Sequence, residues 1–325
     1  MKIARPAVRL LVAAAVAVGS AGAFAQADYP SRPVKIIVPF AAGGPADNYA
    51  RFVAQRLSTE LKQPFVVDDK PGAGSIIGTD AVAKSQPDGY TLLMMSNTHT
   101  VNETLVPTKP FKLMDDFVGI APVNYSDLML VVHPSVPAKN LAELIALAKA
   151  KPGKLNYASS GTGTPYHMAG ELFKHMAGVS ITHVPYKGSS GARTDVVGGQ
   201  VDMMFDAVTT MAPMAKEGKV RGLATSGATR NSITPDLPTV AEAGVPKYEA
   251  TIWLGLMAPK GTPPEIVNKL NAAVRKIVGA ADVKATWAQQ GAVPMSMTVG
   301  EFDKYLRADI AKWATIVKAS GAKAD

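Results

Sequence analysis

Val34-Lys35-Ile36-Ile37-Val38-Pro39-Phe40-Ala41-Ala42-Gly43-Gly44-Pro45-Ala46-Asp47 reads as a buried strand that leaves through a glycine-rich turn into a helix. A short, nearly unbroken apolar run bounded by Pro and Gly fits a strand covered on both faces. From about Asp47 to Leu61, Phe52, Val53, Leu57 and Leu61 recur at helical spacing.

The same unit recurs along the chain. Phe65–Asp68 is a predicted strand, Lys70–Ser75 a turn and Ile76–Ser85 a helix; Tyr90–Met95 is a third strand, ending in an expected polar loop, Ser96-Asn97-Thr98-His99-Thr100. Strands alternating with helices argue for a mainly parallel sheet with helices on both faces, an α/β fold. Val118 to Val132 reads as extended and leads into a helix at Leu141–Ala150, with Asn140 as its N-cap. A second α/β series follows, with strands at Leu155–Ala158, Ile181–Pro185, Val201–Phe205 and Val220–Ala224 and a short helix expected near Thr239–Ala243. The apolar Ala250–Ala258 is long enough to return to the first series, and the remainder reads as helices at Pro263–Val278, Asp282–Gln290 and Glu301–Ser320. Two lobes joined by two crossings are expected: 26–124 plus 252–325 for one, 125–251 for the other.

Ahead of this lies Lys2, Arg5 and Arg9, an apolar run from Leu10 to Val18, and Ala23-Phe24-Ala25. That order is a secretory leader with an A-x-A cleavage site, so residues 1–25 read as a signal peptide and the mature chain as periplasmic. The run is about half of the roughly 20 residues that span a bilayer. The chain has no cysteine, which removes disulfides, thiolate metal sites, cysteine nucleophiles and a lipid-anchoring cysteine together. With 47% hydrophobic and 18% charged residues it can bury a large core. The net charge is +8, or +5 without the three leader cations, and no basic cluster interleaved with aromatics points to nucleic acid. A mild positive surplus favours small anions.

Three turns join the end of a strand to the start of a helix: Ala41–Asp47, Ala73–Gly78 and Ser159–Thr164. Unpaired N–H groups and the helix dipole make such turns anion sites, and glycine allows close approach. An ordinary tight turn is the plain alternative for each. Ser159, Ser160, Thr162 and Thr164 place four hydroxyls ahead of a helix at Tyr166–Ala177; one is expected to cap it and at least one to meet a ligand. Tyr186 and Lys187 end another strand, with Lys187 read as solvated. Asp206 ends a further strand and either accepts from a ligand donor or holds a loop. His167, Glu171 and His175 share a helix face, but residues at i and i+8 are about 12 Å apart along the axis, so they are not read as a metal site. No G-x-S-x-G elbow, H-E-x-x-H or phosphate loop is present, and the glycines at 72, 74 and 78 lack dinucleotide spacing. Neither an enzyme nor a cofactor is expected.

V-P-F-x-x-G-G-P-x-D at 38–47, K-P-G-A-G at 70–74, Q-P-D-G-Y-T-L-L at 86–93, the run from Lys151 to Thr164, H-V-P-Y-K-G at 183–188 and P-T-V-A-E-A-G at 238–244 together resemble the Bug-type solute receptors, the substrate-binding components of tripartite tricarboxylate transporters. The resemblance covers nearly the whole mature chain. It implies a type II periplasmic binding protein with its ligand between the lobes, held by backbone N–H groups, hydroxyls and water. Ser75 departs from it, since the family more often has glycine there. The expected ligand is a small organic carboxylate, the expected partners are membrane permease subunits, and a monomer is expected. The alternative is a periplasmic sensor that signals to a kinase or regulator. The residues expected to meet the ligand are Phe40, Ala41, Gly43, Gly44, Asp47, Ala73, Gly74, Ser75 and Thr98 from one lobe. From the other they are Ser159, Thr162, Gly163, Thr164, His167, Tyr186 and Asp206.

Overall fold

The computed structural model describes residues 29–323, so the reading of 1–25 as a signal peptide lies outside the described residues. Among the described residues no helix is long and apolar enough to cross a membrane. The strands are β1 (Val34–Val38), β2 (Phe65–Asp69), β3 (Thr91–Ser96), β4 (Phe117–Val132), β5 (Asn156–Ser159), β6 (Thr182–Pro185), β7 (Met203–Ala207), β8 (Arg221–Thr225), β9 (Thr251–Pro259) and β10 (Ala292–Pro294). The helices are α1 (Pro45–Leu61), α2 (Ile76–Ala83), α3 (Asn97–Leu105), α4 (Leu113–Asp116), α5 (Leu141–Ala150), α6 (Pro165–Ala177), α7 (Ser189–Val197), α8 (Val208–Lys216), α9 (Pro264–Gly279), α10 (Ala281–Gln289) and α11 (Val299–Ser320).

The strands run in the order β2-β1-β3-β9-β4-β7-β5-β6, with β8 and β10 also on β4. Pairing is parallel at both ends and antiparallel where β9 meets β3 and β4, and where β4 meets β7 and β8. The mainly parallel sheet expected from sequence is therefore mixed, because the two connecting strands run against their neighbours. β4 carries the chain from one lobe to the other: Phe117–Asp127 pairs with β9, and Leu128–Val132 with β7 and β8.

Side chains alternate across each strand, which gives each lobe two apolar layers. In the first lobe Ile36, Leu92, Met94, Leu254 and Leu256 pack on one face of the sheet, beneath α1 and α9. Ile37, Leu93, Met95, Trp253 and Met257 pack on the other, against Phe302 and Leu306 of α11. In the second lobe Leu128, Leu130, Met203 and Phe205 face α5 and α6, while Met129, Val131 and Met204 face α7 and α8. The core changes hands between Val123 and Leu128 on β4 and between Ile252 and Leu254 on β9.

Three expectations about elements need correction. The polar stretch after β3 is helical, because the Ser96 hydroxyl accepts from Thr98 N while the His99 ring closes a capping box on the Ser96 backbone. Thr and Asn are modest helix formers and His replaces the usual Glu or Gln at this position, so the pattern does not announce a helix. Thr239–Ala243 is not helical: Thr239 makes a parallel bridge to Thr225 and 240–243 forms turns. Thr239 and Glu242 make reciprocal capping bonds there, but Gly244 and Pro246 stop propagation. β10, three residues long, interrupts a C-terminal third that reads from sequence as helices alone.

Candidate functional site

The ends of the parallel strands in both lobes face one another across a cleft with two neighbouring chambers. The outer has a volume of about 480 Å³ and is lined by residues that include Ala73, Gly74, Ser75, Lys109, Thr162 and Tyr186. The inner, about 20 Å³, holds little more than a water molecule and is walled by Ala41, Gly44, Thr98, Tyr166, Ser189 and apolar neighbours. Phe40 and Ser160 wall both.

The first turns of α1, α2, α3, α6 and α7 all contribute lining residues, so five helix N-termini converge on the cleft. α3 and α6 are capped, by Ser96 and by Thr164, as expected for one of the four hydroxyls. α1, α2 and α7 have no side-chain cap among the described residues. The first turns of α1 and α7 thus offer amides without a side-chain acceptor, whereas at α2 the Ile76 amide already donates to the Ala73 carbonyl of the tight turn before it; the helix dipoles add positive potential. The only charged residues in either lining, among the described residues, are Lys109 and Lys187. Lys187 is exposed, in line with its solvated reading. Lys109 is not: its side chain is 3% exposed and its Nζ lies 2.9 Å from Glu103 Oε1.

The lobes meet closely at glycines. A Cβ on Gly74 would stand 2.7 Å from the Thr162 carbonyl oxygen, and one on Gly188 would stand 2.5 Å from the Ala41 Cβ. Ser190 Oγ donates to the Ala42 carbonyl at 3.0 Å and Arg193 Nη2 to the Gly43 carbonyl at 3.3 Å, both across the cleft. At one side Val101, Leu105, Trp313 and Val317 of the first lobe pack with Met168 of the second.

Of the residues expected from sequence to meet a ligand, Phe40, Ala41, Gly44, Ala73, Gly74, Ser75, Thr98, Thr162 and Tyr186 line the chambers. Gly43, Asp47, Ser159, Gly163, Thr164, His167 and Asp206 lie outside both linings and shape the loops instead. Asp47 Oδ2 accepts from Gly43 N at 2.8 Å, and its Oδ1 lies 2.6 Å from Arg51 Nε. Ser159 Oγ lies 2.6 Å from His183 Nε2, and Thr164 Oγ1 donates to the Gly161 carbonyl at 2.7 Å. His167 Nδ1 accepts from Gly163 N at 3.1 Å and its ring stacks on His183, with centroids 4.1 Å apart. His175 is exposed, and among the described residues no three His, Cys, Asp or Glu side chains are placed to hold a metal.

Asp206 is fully buried, and burial pushes its carboxyl up to about 6 against the opposing pull of Arg193. Arg193 Nε lies 3.0 Å from Asp206 Oδ2, a charge contact outside hydrogen-bonding geometry. On the other lobe His99 is buried and neutral, its ring pushed down to about 4 by burial. Thr79 Oγ1 donates to the Ser75 carbonyl at 2.8 Å and stands 2.9 Å from His99 Nε2, while His99 Nδ1 lies 3.2 Å from Ser96 N and 3.0 Å from the Ser96 carbonyl oxygen. That chain fixes Ser75, whose φ of +81° is a left-handed conformation. The glycine usual at this place in the Bug-type pattern has no such strain.

Sequence reasoning missed Lys109, Tyr166, Ser189, Arg193 and His99. Arg193 sits four residues after Ser189 and so on the same helix face.

A family model described as the tripartite tricarboxylate transporter family receptor matches residues 49–322. The chain belongs to that family. Protein BugT of Bordetella pertussis is 38% identical over 320 residues, 97% of this chain and 98% of its own. A solved R. palustris protein with adipate superposes on this receptor with a TM-score of 0.88 at 36% identity, covering 91% of this chain and 99% of its own. MatC from Rhodopseudomonas palustris with bound malate gives 0.85 at 32%, covering 89% and 100%. The fold of this receptor is thus the two-lobed α/β periplasmic binding fold expected from sequence.

Proposed function

We propose that this receptor captures a small organic carboxylate between its lobes in the periplasm and delivers it, chemically unchanged, to the membrane permease subunits of a tripartite tricarboxylate-type transporter. One observation carries the reading: five helix N-termini and no acidic residue line the cleft among the described residues. Such a surface offers donors and positive potential to an anion without the desolvation cost of burying an unpaired cation. The adipate and malate bound in its relatives are carboxylates that such a surface suits.

In this reading the lobes are 26–124 plus 252–325 and 125–251, a leader of 25 residues directs export, and β4 and β9 form the hinge. Phe40, Ala41, Gly44, Ala73, Gly74, Ser75, Thr98, Thr162 and Tyr186 meet the ligand, together with Ser160 and Ser189. Gly43, Asp47, Ser159, Gly163, Thr164, His167 and Asp206 hold those residues in place. Closure is driven by contacts that only the closed form makes. Uptake of labelled adipate and malate by a strain lacking this receptor tests the delivery step: uptake should fall and return on complementation. Uptake unchanged by the deletion for every carboxylate the purified protein binds would contradict it.

A further inference from the structure

We propose that Arg193 is the latch of the cleft, a positioning residue that sets how long the lobes stay closed without itself contacting the ligand. It lines neither chamber. Its side chain, 11% exposed, is gripped within its own lobe by the buried Asp206 carboxylate at Nε and by Ser189 Oγ, 3.0 Å from Nη2. The same Nη2 reaches across the cleft to the Gly43 carbonyl. The acceptor residue is tethered within its own lobe. Gly43 N donates to Asp47, Asp47 pairs with Arg51, and Arg51 Nη2 donates to Asp69 Oδ2 at 2.8 Å.

A chain of contacts therefore runs from Asp69 in the first lobe, through Arg51, Asp47 and the Gly43 backbone, to Arg193 and Asp206 in the second, and it crosses between lobes at Arg193 and Gly43. On opening, the guanidinium keeps Asp206 and Ser189, while Gly43 is left to water. The contact thus belongs to the closed state alone, which is the condition for biasing an equilibrium between two forms. The planar guanidinium serves both lobes because its nitrogens point in fixed, different directions; a lysine ammonium keeps the charge beside Asp206 but loses that fork.

The test uses Arg193→Lys, which leaves Asp206 with a cation and so avoids a buried unpaired charge. Because the chain has no cysteine, Gln55→Cys and Lys149→Cys place one label on each lobe, both at exposed positions. Inter-label distances are measured with and without adipate, and adipate association and dissociation are followed by stopped flow. The latch predicts a shift towards longer distances in Arg193→Lys, and dissociation about tenfold faster with association changed less than about twofold. Wild-type distances and dissociation in the variant overturn it. If the wild-type protein binds no adipate, the carboxylate reading is what has failed for that ligand. The ligand-free distances still decide the latch, and identical distributions in the two proteins reject it.

Discussion

Gly188 of the second lobe lies so close to Ala41 of the first that a Cβ added to it would stand 2.5 Å from the Ala41 Cβ. Its φ of 161° is extended backbone that any residue adopts, so the added methyl strains nothing within its own lobe. Gly188→Ala should act as a wedge between the lobes. Ligand affinity is expected to fall at least about tenfold, roughly 1.4 kcal/mol of closed-state free energy, with the ligand-free melting midpoint nearly unchanged. Calorimetric titration beside a thermal melt measures both, and wild-type affinity would show that binding does not need this approach of the lobes.

Ser75 is held left-handed at φ +81° and its buried Oγ has no hydrogen-bond partner among the described residues. Ser75→Gly removes the steric cost of that conformation, about 1 kcal/mol, although glycine's greater freedom in the unfolded chain returns part of it. A modest rise in thermal midpoint is expected for the ligand-free variant. A fall would mean that the hydroxyl contributes more than the conformation costs.

His99 and Asp206 predict opposite responses to acid. The His99 ring is pushed down from 6.5 to about 4, so the unfolded chain takes up the proton first and stability is lost as pH falls from 6.5 towards 4. The Asp206 carboxyl is pushed up from 3.8 to about 6, so its contribution is full below 3.8 and is lost as pH rises through 6. Each effect amounts to roughly 3 kcal/mol at 1.36 kcal/mol per pH unit, so they largely offset one another between pH 4 and 6. Urea unfolding across that range should show Asp206→Asn losing stability with acid more steeply than wild type, and His99→Gln gaining it. Parallel curves for all three proteins would contradict the assignment.

The strands that form the core were readable because strands covered on both faces carry continuous apolar residues, as in Val34–Val38 and Thr251–Pro259. The turns after β1 and β5 were readable from glycine and hydroxyl spacing, since conformations at φ > 0 such as those of Gly43 and Gly163 favour glycine. Arg193 was not, because its meaning depends on Gly43, 150 residues away, and on the buried end of β7. His99 was hidden in a stretch with poor helix formers, where a histidine does the work usually given to a glutamate in closing the cap. His167 was expected at the cleft because it lies near the Ser/Thr turn; three-dimensional packing turns its ring onto His183 and onto the Gly163 amide.

The central claim is that the cleft binds a small carboxylate, and calorimetric titration of adipate and malate into mature protein stripped of ligand by unfolding and refolding tests it most directly. The account predicts saturable binding of one carboxylate per chain for at least one small organic acid, no comparable binding of the matching neutral amide, and a weaker isotherm for Gly188→Ala. A protein with an intact melting transition that binds none of a broad panel of carboxylates, or binds the neutral amides equally well, would contradict it.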